Sequence, residues 1–420
     1  MIPHNVLFAG LALSYNLRVI LLGVTALGIA AGVLGAFLLF RRRSLLADTL
    51  GHATLPGVVV AFMAASQFLD GGKPFAVLLL GALISGWIAV RAVQFLRRRT
   101  PIREDAALAI VLTVFYGAGV VLLSVVQNLE LRGSSGLELY VYGMVASMSR
   151  SDAWTLAAVS VAALGVVALL FKELRALSFD EGFVAARGLP HRWLDEVLMS
   201  ACLVVTIAGL PTVGLLLVMA LFIVPPATAR LYADTLGGTL VVAGATGAVG
   251  AVTGALASAR VDHLPAGAAM ILATSALFFA SLVAAPRRGL LAARLRARGE
   301  RRLAVESQVL RRTLDEGGLD PAYLAGCERA AVQRLVARSA LVSEDAGLQL
   351  TDAGRERAHA LARTEELVAL YLERHPRSAP ARLPLHVERI EDVAPPESIE
   401  ELTRALAAAR SAASTPEAPR

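Results

Sequence analysis

The first 290 residues alternate long apolar runs with short charged gaps, and nine runs approach the roughly 20 residues a helix needs to cross a bilayer. They fall at about 18–40, 46–66, 75–96, 106–127, 152–171, 197–210, 213–230, 239–258 and 264–285. Only Gly209-Leu210-Pro211 divides the sixth from the seventh, so eight crossings is the alternative to nine. From about residue 300 the pattern changes to charged, alanine-rich segments with helical periodicity. "RLAVESQVLRRTLDEG" and "ERAAVQRLVARSALV" read as helices, and "SEDAGLQLTDAGRERAHALARTEELVALYLERH" as a short hairpin entering a long helix capped by Thr351. The expected fold is an all-α polytopic membrane domain of eight to nine helices over 1–290, then a soluble winged-helix-like α(+β) domain over 291–410. The last stretch, 411–420, "SAASTPEAPR", is expected to be disordered.

Composition sharpens this picture without changing it. The 420 residues are 56% hydrophobic and carry a formal charge of +6. A basic balance can signal nucleic acid, but here arginines border apolar runs, where they mark orientation. One set of gaps holds Arg41, Arg42, Arg43, Arg97, Arg98, Arg99, Arg103, Lys172, Arg175, Arg187, Arg192 and Arg230; the alternate set holds only Lys73, Arg132, Arg150 and Arg260. The first set should face the cytoplasm. Nine crossings then leave the N-terminus outside and deliver the tail, from "PRRGLLAARLRARGERR" onward, into the cytoplasm. Two cysteines, Cys202 and Cys327, indicate neither a disulfide framework nor a thiolate zinc site. The opening "MIPHNVLFAGLALSYNLRVI" lacks the basic region and cleavage site of a signal peptide. No stretch fits GxxxxGK[ST], so any nucleotide-driven step needs another chain.

Candidate chemistry enters in the second run, "SLLADTLGHATLPGVVVAF", where Asp48 and His52 stand four residues apart on one helix face. Counted from Arg43, they lie very roughly 7 and 13 Å along the helix. A carboxylate at such depth costs several kcal/mol unless it is paired, hydrated or bound to a cation. A carboxylate oxygen beside an imidazole nitrogen suits Mn²⁺, Fe²⁺ or Zn²⁺ rather than Mg²⁺ or Ca²⁺. One such pair is too few ligands for a selective site, whereas two copies facing each other would supply two Asp and two His. Pro56 leaves the carbonyl of His52 without its helical donor. An internal Asp–His hydrogen bond that only ties helices together is the structural alternative.

"RRRSLLADTLGHATLPGVVVAF" resembles the signature of the manganese, zinc and iron-chelate uptake permeases of ABC transporters, in which an Asp and a His four residues apart precede Leu-Pro-Gly. "SFDEGFVAARGLPHRWLD" and "GLPTVGLLLVMALFIVPPATARL" agree with it, so the resemblance spans about 15–290. It implies a membrane subunit of a bacterial cytoplasmic-membrane importer for a divalent metal, manganese first, then iron or zinc. It further implies separate ATPase subunits, an extracytoplasmic metal-binding protein, a second permease chain, and no permanently bound cofactor. Asp48 and His52 would pass the metal. Phe179, Asp180, Glu181, Ala185 and Gly188 would belong to a coupling helix docking into the ATPase, with Arg187 pairing Asp180–Glu181 at its rim. Pro56, Gly57, Pro225 and Pro226 are candidates for gating or kinks. Asp262 and His263 are candidate entry ligands, although adjacent residues on a helix do not face one another.

The tail resembles iron- and manganese-dependent repressors in "LTDAGRERAHALARTEELVALYL" and "HVERIEDVAPPESIEEL". Where those repressors carry metal ligands this chain has Glu365, Ala369 and Asp392, which leaves His386, Glu388 and Glu391 as residual ligand candidates. The second tail helix carries Arg329, Arg334 and Arg338 but also Glu328, a weak basic face. A regulatory or assembly role is therefore expected, and nucleic acid is not an expected partner. Two rival readings stand beside the metal permease: a permease for siderophore, haem or cobalamin, and a membrane-anchored metalloregulator.

Overall fold

The computed structural model describes residues 14–68, 75–129, 143, 145–261, 263–321, 324–344, 347–375 and 390–413. The chain divides into two compact units, Met1–Leu291 and Ala292–Arg420. In the first, α1 (Tyr15–Phe40), α2 (Leu46–Phe68), α3 (Phe75–Arg99), α4 (Glu104–Asn128) and α5 (Arg150–Leu169) lead to two short helices, α6 (Phe171–Phe179) and α7 (Glu181–Ala186). Then follow α8 (His191–Val213), α9 (Leu215–Ala229), α10 (Leu236–Arg260) and α11 (Ala266–Ala284). Among the described residues, eight helices are long and apolar enough to cross a membrane, and α9, at 15 residues, is shorter. All nine expected runs are thus helical, and the sixth and seventh are the separate helices α8 and α9.

The expected break between the sixth and seventh runs is displaced. Pro211 lies inside α8, where it forfeits only one donor and Thr212 Oγ1 donates to Gly209 O at 3.0 Å. The chain turns instead at Gly214, whose φ of 84° is open to glycine.

Packing in this unit relies on bare backbone. A Cβ on Gly28 would lie 2.6 Å from Gly247 O, so α1 and α10 cross in direct contact. α2 and α3 do the same, since a Cβ on Gly57 would lie 2.1 Å from Gly81 O. Pro226 removes the helical donor to Phe222 O, and that carbonyl meets the Cα of Gly35, where a Cβ would stand 2.1 Å from it. Pro225 and Pro226 thus sit buried inside α9 against α1.

The second unit contains most of α12 (Leu290–Glu316), then α13 (Gly326–Ala337), an antiparallel hairpin of β1 (Leu341–Glu344) and β2 (Gly347–Leu350), α14 (Asp352–Arg374) and α15 (Pro396–Ala413). Leu319 bridges to Leu348, adding a third, single-residue backbone segment beside β2. Thr351 caps α14 by accepting from Gly354 N at 3.0 Å, as its sequence predicts. The second tail helix stops at Ala337, short of the expected Val342, because Ser339 takes a positive φ of 55° and the chain enters β1. Helix α15 runs to Ala413, and 414–420, most of the stretch expected to be disordered, lie outside the described residues.

Candidate functional site

The start of α2 is set by the turn that precedes it. Arg42 adopts a φ of 59°, and Arg43 N donates to Leu38 O at 2.8 Å, closing α1 in the manner of a left-handed helix cap. Helix α2 begins only at Leu46, so Asp48 lies in its first turn, nearer the helix end than a count from Arg43 gives. A carboxylate there is favoured by the unpaired N–H groups and the helix dipole.

His52 follows one turn later, its Nε2 3.2 Å from Asp48 Oδ1. The two side chains keep 21% and 32% of their surface, so neither is sealed in the packed core. His52 Nδ1 is buried and has no hydrogen-bond partner. Tyr116 of α4 meets the imidazole edge-on, ring centres 4.8 Å apart. At the next residue, Ser85 Oγ donates to Ala53 O at 2.6 Å, beside the ladder that Pro56 interrupts. The pair therefore offers a carboxylate and an imidazole with capacity to spare, yet no group of three or more His, Cys, Asp or Glu placed to hold a metal ion exists among the described residues.

A second polar cluster was not legible in the sequence. Asp195 of α8, 4% exposed at its side chain, accepts from Arg43 and from Arg41, the latter at 2.9 Å, with Arg97 Nη1 at 3.4 Å. Arg43 also stands 2.5 Å from Glu104 Oε1, a charge contact without hydrogen-bond alignment. Arg97 Nη2 donates to Glu181 Oε2 at 2.6 Å. Burial, with Arg43 close by, holds the Arg41 guanidinium below its ordinary value against the pull of Asp195 and Glu181. Read as orientation markers, these arginines are in fact half of a buried network. Asp195, inside the stretch expected to couple, is its hub.

The expected coupling segment forms the helix pair α6 and α7. Asp180 caps α7, accepting from Phe183 N at 2.9 Å, and Gly188, with a φ of 73°, ends it. Phe179 and Phe183 are exposed, at 64% and 50%. The expected pairing of Arg187 with Asp180–Glu181 does not form: Arg187 stacks over the Phe183 ring at 4.9 Å, and Glu181 turns to Arg97 and Arg41 instead. Ala185 lies on the exposed side of the helix.

A profile described as "ABC-3: ABC 3 transport family" matches residues 13–285. The chain belongs to this family. Among its relatives, the "Manganese transport system membrane protein MntC" of Bacillus subtilis (strain 168) is 38% identical over 297 residues, 70% of this chain and 67% of that protein. The "Zinc transport system membrane protein TroC" of Treponema pallidum (strain Nichols) is 34% identical, covering 66% of this chain and 91% of its own length. The structure of "PsaBC from Streptococcus pneumoniae in complex with Fab" superposes with a TM-score of 0.57 at 28% identity, covering 68% of this chain and 97% of that one.

This ABC 3 permease is thus a multi-pass membrane protein whose family match lies wholly within the first compact unit. The remaining candidates join no metal-binding group among the described residues. His263 is exposed at a positive φ of 62° in the loop before α11, and Asp262 lies outside the described residues. Glu391 is exposed in a short 3₁₀ turn, Ile390–Asp392, and His386 and Glu388 lie outside the described residues. In the second unit Glu306, 7% exposed at its side chain, binds Arg334 at 2.6 Å and Arg338 at 3.2 Å. That pairing draws two of the three arginines counted toward a basic face onto one carboxylate, leaving the three groups a net charge of +1.

Proposed function

We propose that this permease carries a divalent transition metal, manganese first and iron or zinc next, into a bacterial cell through its cytoplasmic membrane. The observation that carries the reading is the Asp48–His52 contact, an oxygen and a nitrogen donor on a membrane helix whose imidazole keeps one nitrogen free. The names of the manganese and zinc relatives support the cargo class. Two donors per chain imply a partner permease, of the same or a sister sequence, to complete a coordination sphere with waters.

In this reading the arginine-rich ends face the cytoplasm, and α7 docks into a separate ATPase by its exposed phenylalanines. No nucleotide loop exists in the chain, so ATP hydrolysis belongs to that partner. Glu181 transmits α7 displacement through Arg97 and Arg41 to Asp195 and the turn that holds α2. A secreted binding protein delivers the metal from outside. Helices α12 and α13 followed by a hairpin and α14 support a winged-helix tail in the cytoplasm. The pairing of Arg334 and Arg338 with Glu306 favours regulation or assembly over DNA reading.

The test is uptake of Mn²⁺, Fe²⁺ and Zn²⁺ into proteoliposomes holding the assembled complex. Asp48→Asn and His52→Gln should each lower uptake at least about tenfold, the range that even outer-shell partners of a metal command. Unchanged flux in both variants at equal protein would overturn the reading.

A further inference from the structure

One face of α3 changes character along its length in a way that neither metal passage nor the buried network uses. Leu80, Ile84, Ile88, Arg91, Phe95 and Arg98 follow one another at spacings of three or four and so share a face, with Trp87 three residues after Ile84 and four before Arg91. The apolar members are exposed: Leu80 56%, Ile84 59%, Trp87 50%, Ile88 49% and Phe95 62%. Toward the start of the helix this face borders an apolar groove of about 540 Å³ between α2, α3 and α4. Toward its end it opens into a recess of about 680 Å³ lined by Arg91, Gln94, Phe95, Arg98, Arg99 and Arg192. Arg91 is already occupied, donating to Glu196 at 2.7 Å and lying 5.0 Å above the Trp87 ring. Arg98, Arg99 and Arg192 have no acidic partner among the described residues, so the recess holds three uncompensated cations beside an aromatic wall.

We propose that this recess binds the phosphate headgroup of an anionic phospholipid such as phosphatidylglycerol, with the acyl chains lying along Phe95, Ile88 and Ile84. Charge complementarity selects an anion. Continuity with an exposed apolar face selects a lipid over free phosphate, because a soluble anion gains nothing from that face. From Arg91 to Arg99 the recess spans about 12 Å of helix, enough to reach from the headgroup layer toward the acyl boundary. Arg91, fixed by Glu196 and Trp87, forms the wall between the two regions.

The probes are phosphatidylglycerol, phosphatidylcholine and inorganic phosphate, titrated against the full-length chain and followed by native mass spectrometry. Wild type should bind phosphatidylglycerol in preference to phosphatidylcholine. The triple variant R98Q/R99Q/R192Q should bind phosphatidylglycerol more weakly by about fivefold per lost cation, roughly a hundredfold in all. The matching triple lysine variant should keep most of the affinity, and an unchanged melting temperature in phosphatidylcholine nanodiscs should show that the glutamine variant is folded. Equal lipid binding by wild type and the glutamine variant overturns the proposal. So does full displacement of the lipid by millimolar phosphate, which would make this a free-anion site. Loss of bound lipid on adding the ATPase subunit or a second permease chain also overturns it, because the arginines would then serve a protein contact.

Discussion

Two polar clusters interrupt the apolar membrane unit, one closed in charge and the other left open. Around Asp195, three guanidinium groups from Arg41, Arg43 and Arg97 meet three carboxylates from Glu104, Glu181 and Asp195, and the most buried members are 1% and 4% exposed. At Asp48 and His52 a single carboxylate meets a single imidazole, about a third and a fifth exposed, with one ring nitrogen unused. The first cluster can offer nothing to a passing ion without breaking an ion pair. The second can. A low-dielectric setting makes both expensive, so the closed cluster repays its cost in specified geometry and the open one in ligand capacity.

The largest effect should come from opening the closed cluster. Asp195→Ala strands Arg41 and Arg43 in a buried site, and removal of one partner from such a network costs about 3–5 kcal/mol. Thermal melting of the purified chain in detergent should show a strong drop in Tm, or the variant should fail to accumulate in the membrane. Replacing both members, Asp195→Leu with Arg43→Leu, should recover part of the loss, because no buried charge then lacks its opposite. A single Asp195 variant that melts like wild type would place the network outside the stabilising framework.

Next comes a test of the backbone contacts that hold the helices around both clusters. Gly35→Ala forces a methyl group toward Phe222 O, a backbone atom with nowhere to retreat, and should cost about 1–3 kcal/mol. Since Gly35 touches neither cluster's polar atoms, uptake per folded molecule should persist while Tm falls. Equal losses in both would mean that α9 must move against α1 during transport.

How much of this could be read from the chain differs between the clusters for a physical reason. Asp48 and His52 are four residues apart, and helical periodicity alone brings them together. Arg43 and Asp195 are separated by 152 residues, and nothing in local pattern marks them as a pair. The apolar runs gave the spans because bilayer thickness imposes their length, yet Pro211 misdirected the boundary that Gly214 makes. Among the tail's elements, the cap at Thr351 followed from local chemistry. The pairing of Arg334 and Arg338 with Glu306 required knowing that α12 faces α13.

The open cluster should respond in the opposite sense to the closed one. Asp48→Asn removes one partner of a partly exposed pair spaced like an ordinary helical ion pair, worth about 0.3–0.5 kcal/mol. Tm should therefore shift by no more than a degree or two beside the fall in metal uptake. A destabilisation as large as that of Asp195→Ala would mean that Asp48 and His52 tie helices together and hold no cargo.

The smallest stability effect should come from Glu181→Gln, and it distinguishes a mechanical link from a surface pair. Glu181 is 40% exposed and its partner Arg97 28%, so solvent screens the interaction, and glutamine keeps a hydrogen-bond acceptor there, which should hold the stability cost to about 0.2 kcal/mol. Asp180 still caps α7 in this variant, and Phe179 and Phe183 still stand free to meet a partner. If the charge contact carries motion from α7 to the Asp195 hub, metal moved per ATP hydrolysed should fall while ATPase binding holds. Phe183→Ala should instead weaken ATPase binding itself. Identical transport stoichiometry in the glutamine variant and wild type would reduce the Glu181–Arg97 contact to surface decoration and leave helix packing alone to carry the stroke.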